Sequence, residues 1–237
     1  IFVVARVGYS GSLIFYDSML SDITDADRMD HVSSQGYAWG YIGSCIPFAG
    51  CLALVLGSGA LGLSMVTAMG LSFGITALWW LGFTLPLLRR YEQKHFVERQ
   101  PHAIRESFAR LGRTLVSVRQ EKKIFLFLLA FFFYIDGVHT IISMSTSYGT
   151  NLGLDSAGML LALLLVQVLG LPFCLLYMKL AARFGARTMV GVGICVYMFI
   201  CIFAYFMNSL WQFWMLAVLC ATSQGGIQAL SRSMFGK

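Results

Sequence analysis

Lys122-Lys-Ile-Phe-Leu-Phe-Leu-Leu-Ala-Phe-Phe-Phe-Tyr-Ile-Asp136-Gly-Val-His-Thr-Ile-Ile-Ser-Met-Ser-Thr-Ser-Tyr148 opens on two cations and then carries no further Lys or Arg. A hydrocarbon core of about 30 Å takes roughly 20 apolar residues in helical form, and Ile124 to Tyr148 supplies that length. Working outward, apolar runs near Phe2 to Leu20, Gly36 to Leu56, Leu61 to Leu88, Ala157 to Met178, Thr188 to Met207 and Leu210 to Leu230 bring the expected spans to seven. None alternates polar and apolar residues, which argues against a closed β-barrel, the other spanning structure. The expected fold class is all-α, a polytopic membrane protein. Composition agrees: 12% of residues are charged, against about 25% in soluble domains.

The gaps between these runs then sort by charge. Arg89, Arg90, Lys94, Arg99, Arg105, Arg110, Arg113, Arg119, Lys122 and Lys123 fill the long gap after Leu88. Lys179, Arg183 and Arg187 lie two gaps on, and Arg28, Arg232 and Lys237 complete the same face. The alternate gaps, around Gly57 to Ala60, Gly149 to Ser156 and Asn208 to Ser209, hold Asp155 and no basic residue. Positive residues mark the cytoplasmic side, so the long gap is expected in the cytoplasm. The basic balance then reflects the anionic inner leaflet and not nucleic acid. The six cysteines lie in apolar runs with no CxxC pair, a pattern of packed thiols and not of metal ligation or a disulfide framework.

Gly11-Ser-Leu-Ile-Phe-Tyr-Asp-Ser-Met19 aligns with Gly226-Ile-Gln-Ala-Leu-Ser-Arg-Ser-Met234 at an offset of 215 residues. Both segments close a span at the basic face. The first and seventh spans are then expected to be equivalents in two parallel halves, as in transporters built from two six-helix bundles. Residues 1–88 would end the N-terminal bundle, 89–123 would be a basic cytoplasmic linker, and 124–237 would begin the C-terminal bundle. The chain, starting at Ile1 inside an apolar run, reads as spans four to ten of twelve, with the remaining helices of the full-length chain as its partners.

Leu180-Ala-Ala-Arg-Phe-Gly-Ala-Arg187 resembles the major facilitator loop signature G-x-L-A-D-R-x-G-R-[RK], with Met178, Ala182 and Ala186 at the three points of departure. Phe15-Tyr-Asp-Ser-Met-Leu-Ser-Asp-Ile23, Val32-Ser-Ser-Gln-Gly-Tyr-Ala-Trp-Gly-Tyr-Ile-Gly43, Tyr134-Ile-Asp-Gly-Val-His-Thr-Ile141 and Gly225-Gly-Ile-Gln-Ala-Leu-Ser-Arg-Ser-Met-Phe-Gly236 are similar to the vacuolar effluxer, autophagy-related amino-acid exporter-like branch of that superfamily. The resemblance implies export of amino acids or similar small metabolites. It also implies that helices one, four, seven and ten of the whole fold line a central cavity. Three of those are the first, fourth and seventh spans here.

Those three spans hold the polar residues expected near the midplane: Arg6, Tyr9 and Ser10; Tyr134, Asp136, His139 and Thr140; Thr222, Ser223, Gln224 and Gln228. A charge at mid-membrane costs at least about 2.5–3.5 kcal/mol, so it is expected to face a cavity or a partner. Asp136 is a candidate proton-coupling or substrate-amine site. Arg6 would pair with it or bind a substrate carboxylate, and a fixed buried pair that only orders the helices is the alternative. His139, at i+3 from Asp136, either shares the proton or is a packed, hydrogen-bonded histidine. Asp17, Arg183, Arg187 and Arg232 at the basic face are candidate gate charges, against solvated helix ends. Asp22 is expected to cap the next segment or to meet linker arginines, with a solvated acidic loop as the default.

The remaining features are read as structural. Gly36, Gly40, Gly43 and Gly50 form a small-residue stripe that permits close helix approach. Trp79 and Trp80 are expected toward lipid, and Trp211 and Trp214 in an outer aromatic belt. Ile104, Phe108, Leu111, Leu115 and Val118 make one apolar helical face within the linker, flanked by arginines, which would lie along the inner leaflet or beneath the bundles. Two other classes compete with transport. A seven-helix receptor of the rhodopsin type lacks a mid-span Lys here, and the basic linker divides the spans three and four. A membrane-embedded enzyme lacks HExxH, GxSxG or paired catalytic carboxylates. No phosphate-cradling loop with its Lys follows Gly225-Gly226, so nucleotide-driven transport finds no support. The expectation is therefore a non-enzymatic secondary transporter without cofactor or metal. It would take small-molecule substrates in a bacterial inner membrane, or in a vacuolar membrane if eukaryotic.

Overall fold

The computed structural model describes residues 2–94 and 103–236, with the side chains of Phe2, Ala103 and Ile104 left out. Arg99 and Lys237 of the basic set, and the side chain of Ile104 in the linker stripe, lie outside the described residues. The described residues are helical apart from short connections: α1 (Phe2–Ser18), α2 (Leu20–Ile23), a 3-10 turn (Ala26–Arg28), α3 (Met29–Leu56), α4 (Met65–Arg90), α5 (Ala103–Gln120), α6 (Lys122–Asn151), α7 (Ser156–Phe184), α8 (Ala186–Tyr205) and α9 (Leu210–Gly236). The fold class is all-α, as the apolar runs require.

Among the described residues six helices are long and apolar enough to cross a bilayer, from α3 to α9 with α5 excepted. The first expected span is shorter than its apolar run. Its helix stops at Ser18 after 17 residues, roughly 25 Å of rise, at the lower limit for a crossing. Other helices overrun their apolar runs at the basic end. α3 starts at Met29, seven residues before Gly36, α7 continues to Phe184 and α9 to Gly236. Backbone hydrogen bonding carries a helix past the last apolar residue, so a hydropathy boundary marks the oil and not the helix.

Local chemistry sets the ends. Ser64 accepts from the Thr67 amide at 3.1 Å to start α4, and Asp155 accepts from the Gly158 amide at 2.7 Å to start α7, each satisfying an orphan donor of the first turn. Gly185 alone joins α7 to α8, with φ +86°, a backbone angle that a side chain opposes. This is the glycine of the Leu180–Arg187 loop.

The chain packs as two compact units, Ile1–Glu92 with Met144–Lys237, and Gln93–Ser143. In the larger unit α7 packs against α9, α8 against α9 and α7, and α3 against α7, α9 and α4. The expected glycine stripe of α3 does not make these contacts. Gly36 meets only the Tyr16 hydroxyl, and Gly40, Gly43 and Gly50 face open space. The close approaches run the other way. A methyl group at Gly170 on α7 or Gly225 on α9 would stand 2.6 or 2.7 Å from the Tyr41 ring of α3, and one at Gly226 would collide with Tyr177. Tyr41 thus fills a slot opened by glycines on two other helices. All six cysteines are free. Cys174 is buried, but Cys195 and Cys201 are exposed on α8 and not packed as expected.

Candidate functional site

The polar residues at the basic end of the larger unit converge on one seam. Arg232 on α9 places Nε 3.1 Å from the Asp17 carboxylate of α1. Its Nη2 donates to the Tyr16 carbonyl at 3.0 Å, and its guanidinium carbon lies 4.5 Å from the Tyr16 ring centroid. The guanidinium thereby clasps the end of α1 through charge, hydrogen bond and ring face together. Two residues matched by the 215-residue offset are also partners in space.

Beside this pair, α3 is tied to its neighbours by groups that would be unsatisfied in hydrocarbon. Ser33 donates to the Ala229 carbonyl of α9 at 2.8 Å, and the Cys174 thiol of α7 reaches the Ser34 carbonyl at 3.4 Å. Ser33, Ser34, Ala38 and Tyr41 are all buried along this stretch. Tyr177 of α7 donates to the Met189 carbonyl of α8 at 2.7 Å.

The other two gate candidates take no part in the clasp. Arg183 lays its guanidinium over the neighbouring Phe184 ring at 5.4 Å, and Arg187 is exposed. Asp22 neither caps α3 nor sits in a solvated loop. It is buried and accepts from the Tyr91 hydroxyl at the end of α4, a bond that raises the Tyr91 phenol above its ordinary pKa.

The mid-span candidates separate into three groups. On α1, Arg6 and Tyr9 are exposed, with the guanidinium carbon 5.7 Å from the Tyr9 ring. Tyr9 in turn meets Trp80 of α4 edge-on at 6.0 Å. Trp80, expected toward lipid, therefore supports the residue that supports Arg6, and sequence spacing gave no signal of it. On α6, within the smaller unit, Asp136, His139 and Thr140 are exposed on one face, and Tyr134 is half-buried. The Ser143 hydroxyl bonds back to the His139 carbonyl at 2.8 Å. On α9, Gln224 and Gln228 are half-buried. Ser223 is 2% exposed, with its hydroxyl 3.4 Å from that of Thr222. It sits inside a helix seam and not on an open face. Among the described residues no group of three or more His, Cys, Asp or Glu side chains is arranged to hold a metal ion.

An all-α polytopic membrane protein with a charged clasp at the basic end of its helices is the class that these features define. The family model described as "Vacuole effluxer Atg22 like" matches residues 17–237. The chain belongs to that family and is an integral membrane protein. It is 50% identical over 238 residues to the uncharacterized MFS-type transporter YxiO of Bacillus subtilis (strain 168), covering 100% of this chain and 56% of the relative. It is 27% identical over 233 residues to autophagy-related protein 22 of Coccidioides immitis (strain RS), covering 87% of this chain and 38% of the relative. Autophagy-related protein 22-1 of Aspergillus niger (strain ATCC MYA-4892 / CBS 513.88 / FGSC A1513) is 25% identical over 234 residues, 87% of this chain and 37% of the relative. The chain thus spans between about a third and somewhat over half of these relatives' lengths. No solved structure matches it.

Proposed function

We propose that the full-length protein is a secondary transporter that exports amino acids or similar small metabolites by alternating access. The observation that carries this reading is the Asp17–Arg232 clasp, because it joins α1 and α9, the helices related by the internal repeat. In a two-bundle transporter the contacts that must break and reform are those between the bundles. With the basic end cytoplasmic, Asp17, Tyr16 and Arg232 hold the cytoplasmic side shut, and Ser33 on Ala229 extends the closure.

The candidate pathway residues are, in the larger unit, Arg6 and Tyr9 on α1 with Gln224 and Gln228 on α9, and, in the smaller unit taken by itself, Tyr134, Asp136, His139 and Thr140 on α6. Asp136 is the coupling carboxylate in this scheme. Arg6, backed by Tyr9 and Trp80, receives the substrate carboxylate. The family description and the name of the bacterial relative support transport; the amino-acid cargo rests on the family resemblance.

The test is uptake of radiolabelled amino acids into proteoliposomes carrying the full-length protein under an imposed proton gradient. Gradient-dependent flux that Asp136→Asn abolishes is expected. Flux in Asp136→Asn with unchanged pH dependence would remove the coupling role, and absence of flux for every amino acid at every pH would remove the cargo.

A further inference from the structure

We propose that α5 is an interfacial helix that binds anionic phospholipid headgroups of the leaflet at the basic face. α5 runs from Ala103 to Gln120 with four arginines and a single acidic residue, Glu106. Phe108, Leu111 and Leu115 recur at i, i+3 and i+7 on one stripe, and they are 71%, 55% and 63% exposed. At 100° per residue, Arg119 and Arg105 fall along one edge of that stripe, and Arg110 and Arg113 lie on the opposite, polar side of the helix. Two more cations, Lys122 and Lys123, follow directly at the start of α6.

The charge pattern decides what covers the stripe. An apolar face meant for the protein's own interior needs no cations along its edge and across the opposite face. A helix lying at a bilayer surface does: its apolar side chains enter the acyl boundary while edge arginines reach the phosphates. The arginine fork suits phosphate geometry better than a point charge would. Length also fits. The helix is too polar to cross the bilayer, whereas α6, two residues later, is a spanning helix. A segment bonded this closely to a membrane helix is held near the bilayer surface, where the negative surface potential is strongest. Transport plays no part in the argument; it rests on the charge sorting and the helix alone.

Hydrogen–deuterium exchange of the full-length protein in nanodiscs tests this directly. One set of discs contains phosphatidylcholine only, and the other has one-third phosphatidylglycerol. Amides of 105–120 are expected to exchange at least about tenfold more slowly in the anionic discs, and raised salt should erode the difference. A variant with Arg105, Arg110, Arg113 and Arg119 all changed to Gln should lose the lipid dependence, while α7 and α9 exchange as before. Leu111→Ser with Leu115→Ser should lose protection in both lipids. Equal protection in both discs and in detergent would mean that the stripe packs on the protein, and no protection anywhere would mean a solvated tether. Either result overturns the proposal, and neither bears on whether the protein moves amino acids.

Discussion

The two ends of α3 differ in what fills the space beside them. At the basic end Met29, Ser33, Ser34, Ala38 and Tyr41 are buried, and toward the opposite end Leu52 is the single further buried residue of the helix. Ile46 and Leu56 there are 61% and 47% exposed. The basic end holds an ion pair, an interhelix hydrogen bond and a tyrosine lodged between glycines of two helices. The opposite end of α3 holds glycines that face nothing. One helix is therefore gripped by α7 and α9 over half its length, and over the rest it meets α4, where the Cys51 thiol reaches the Ser72 carbonyl at 3.6 Å. Under the proposed alternating-access function, a seam closed at the basic end is the state in which that end is shut.

The strongest way to break the contrast is to fill the Tyr41 slot. Gly225→Leu is expected to cost about 3 kcal/mol or to prevent recovery of folded protein, because overpacking forces the Tyr41 ring and Cys174 aside. Gly225→Ala, with a smaller intrusion, should cost about 1 kcal/mol and keep the measurement within range. Both are read from denaturant unfolding of the full-length protein in detergent. Wild-type stability in Gly225→Leu would mean that α3 and α9 do not approach this closely.

Next in size is the clasp. Asp17→Asn and Arg232→Gln should each lower stability. A double-mutant cycle should return about 1 kcal/mol of coupling and no more, since the Asp17 side chain is 50% exposed and screened by solvent. Additive single effects would reduce the pair to two independent surface charges. Ser33→Ala is expected to cost about 0.6 kcal/mol, the average for an interhelix hydrogen bond in a membrane. The same assay checks it, and a neutral result would leave the Ala229 carbonyl satisfied by other means.

How much of this could be read beforehand follows the range of each interaction. Spans were legible because apolar run length is a property of the bilayer and needs no tertiary contact. Asp17 and Arg232 were legible as candidates because a repeat carries spatial information in its offset. Their direct pairing was not, since an alignment equates positions without saying that they touch. The glycine stripe of α3 misled for a related reason. Small residues announce that a close approach is possible, and only the partner's side chain decides where it happens. Here that side chain is Tyr41, on the same helix as the stripe, and the glycines it needs are Gly170 and Gly225, far along the chain. Ser223 and Gln224 are adjacent in sequence, yet one is buried and the other half-buried. Helical rotation separates them, and sequence assigns rotation only when a face is strongly one-sided.

The smallest expected effect lies at the loose end. Gly43→Ala should bring no loss of stability, because a methyl group there meets nothing within 4 Å and alanine favours the helix. The comparison with Gly225→Ala is then made between the same substitution on two helices of one seam. A loss at Gly43 would be informative in its own way. The chain covers 56% of the length of its bacterial relative, so a cost appearing only in the full-length protein would mean that a helix from elsewhere in that protein lands on this glycine. The stripe would then be a packing surface after all. The looseness of α3 would be a property of these residues alone and not of the full-length protein.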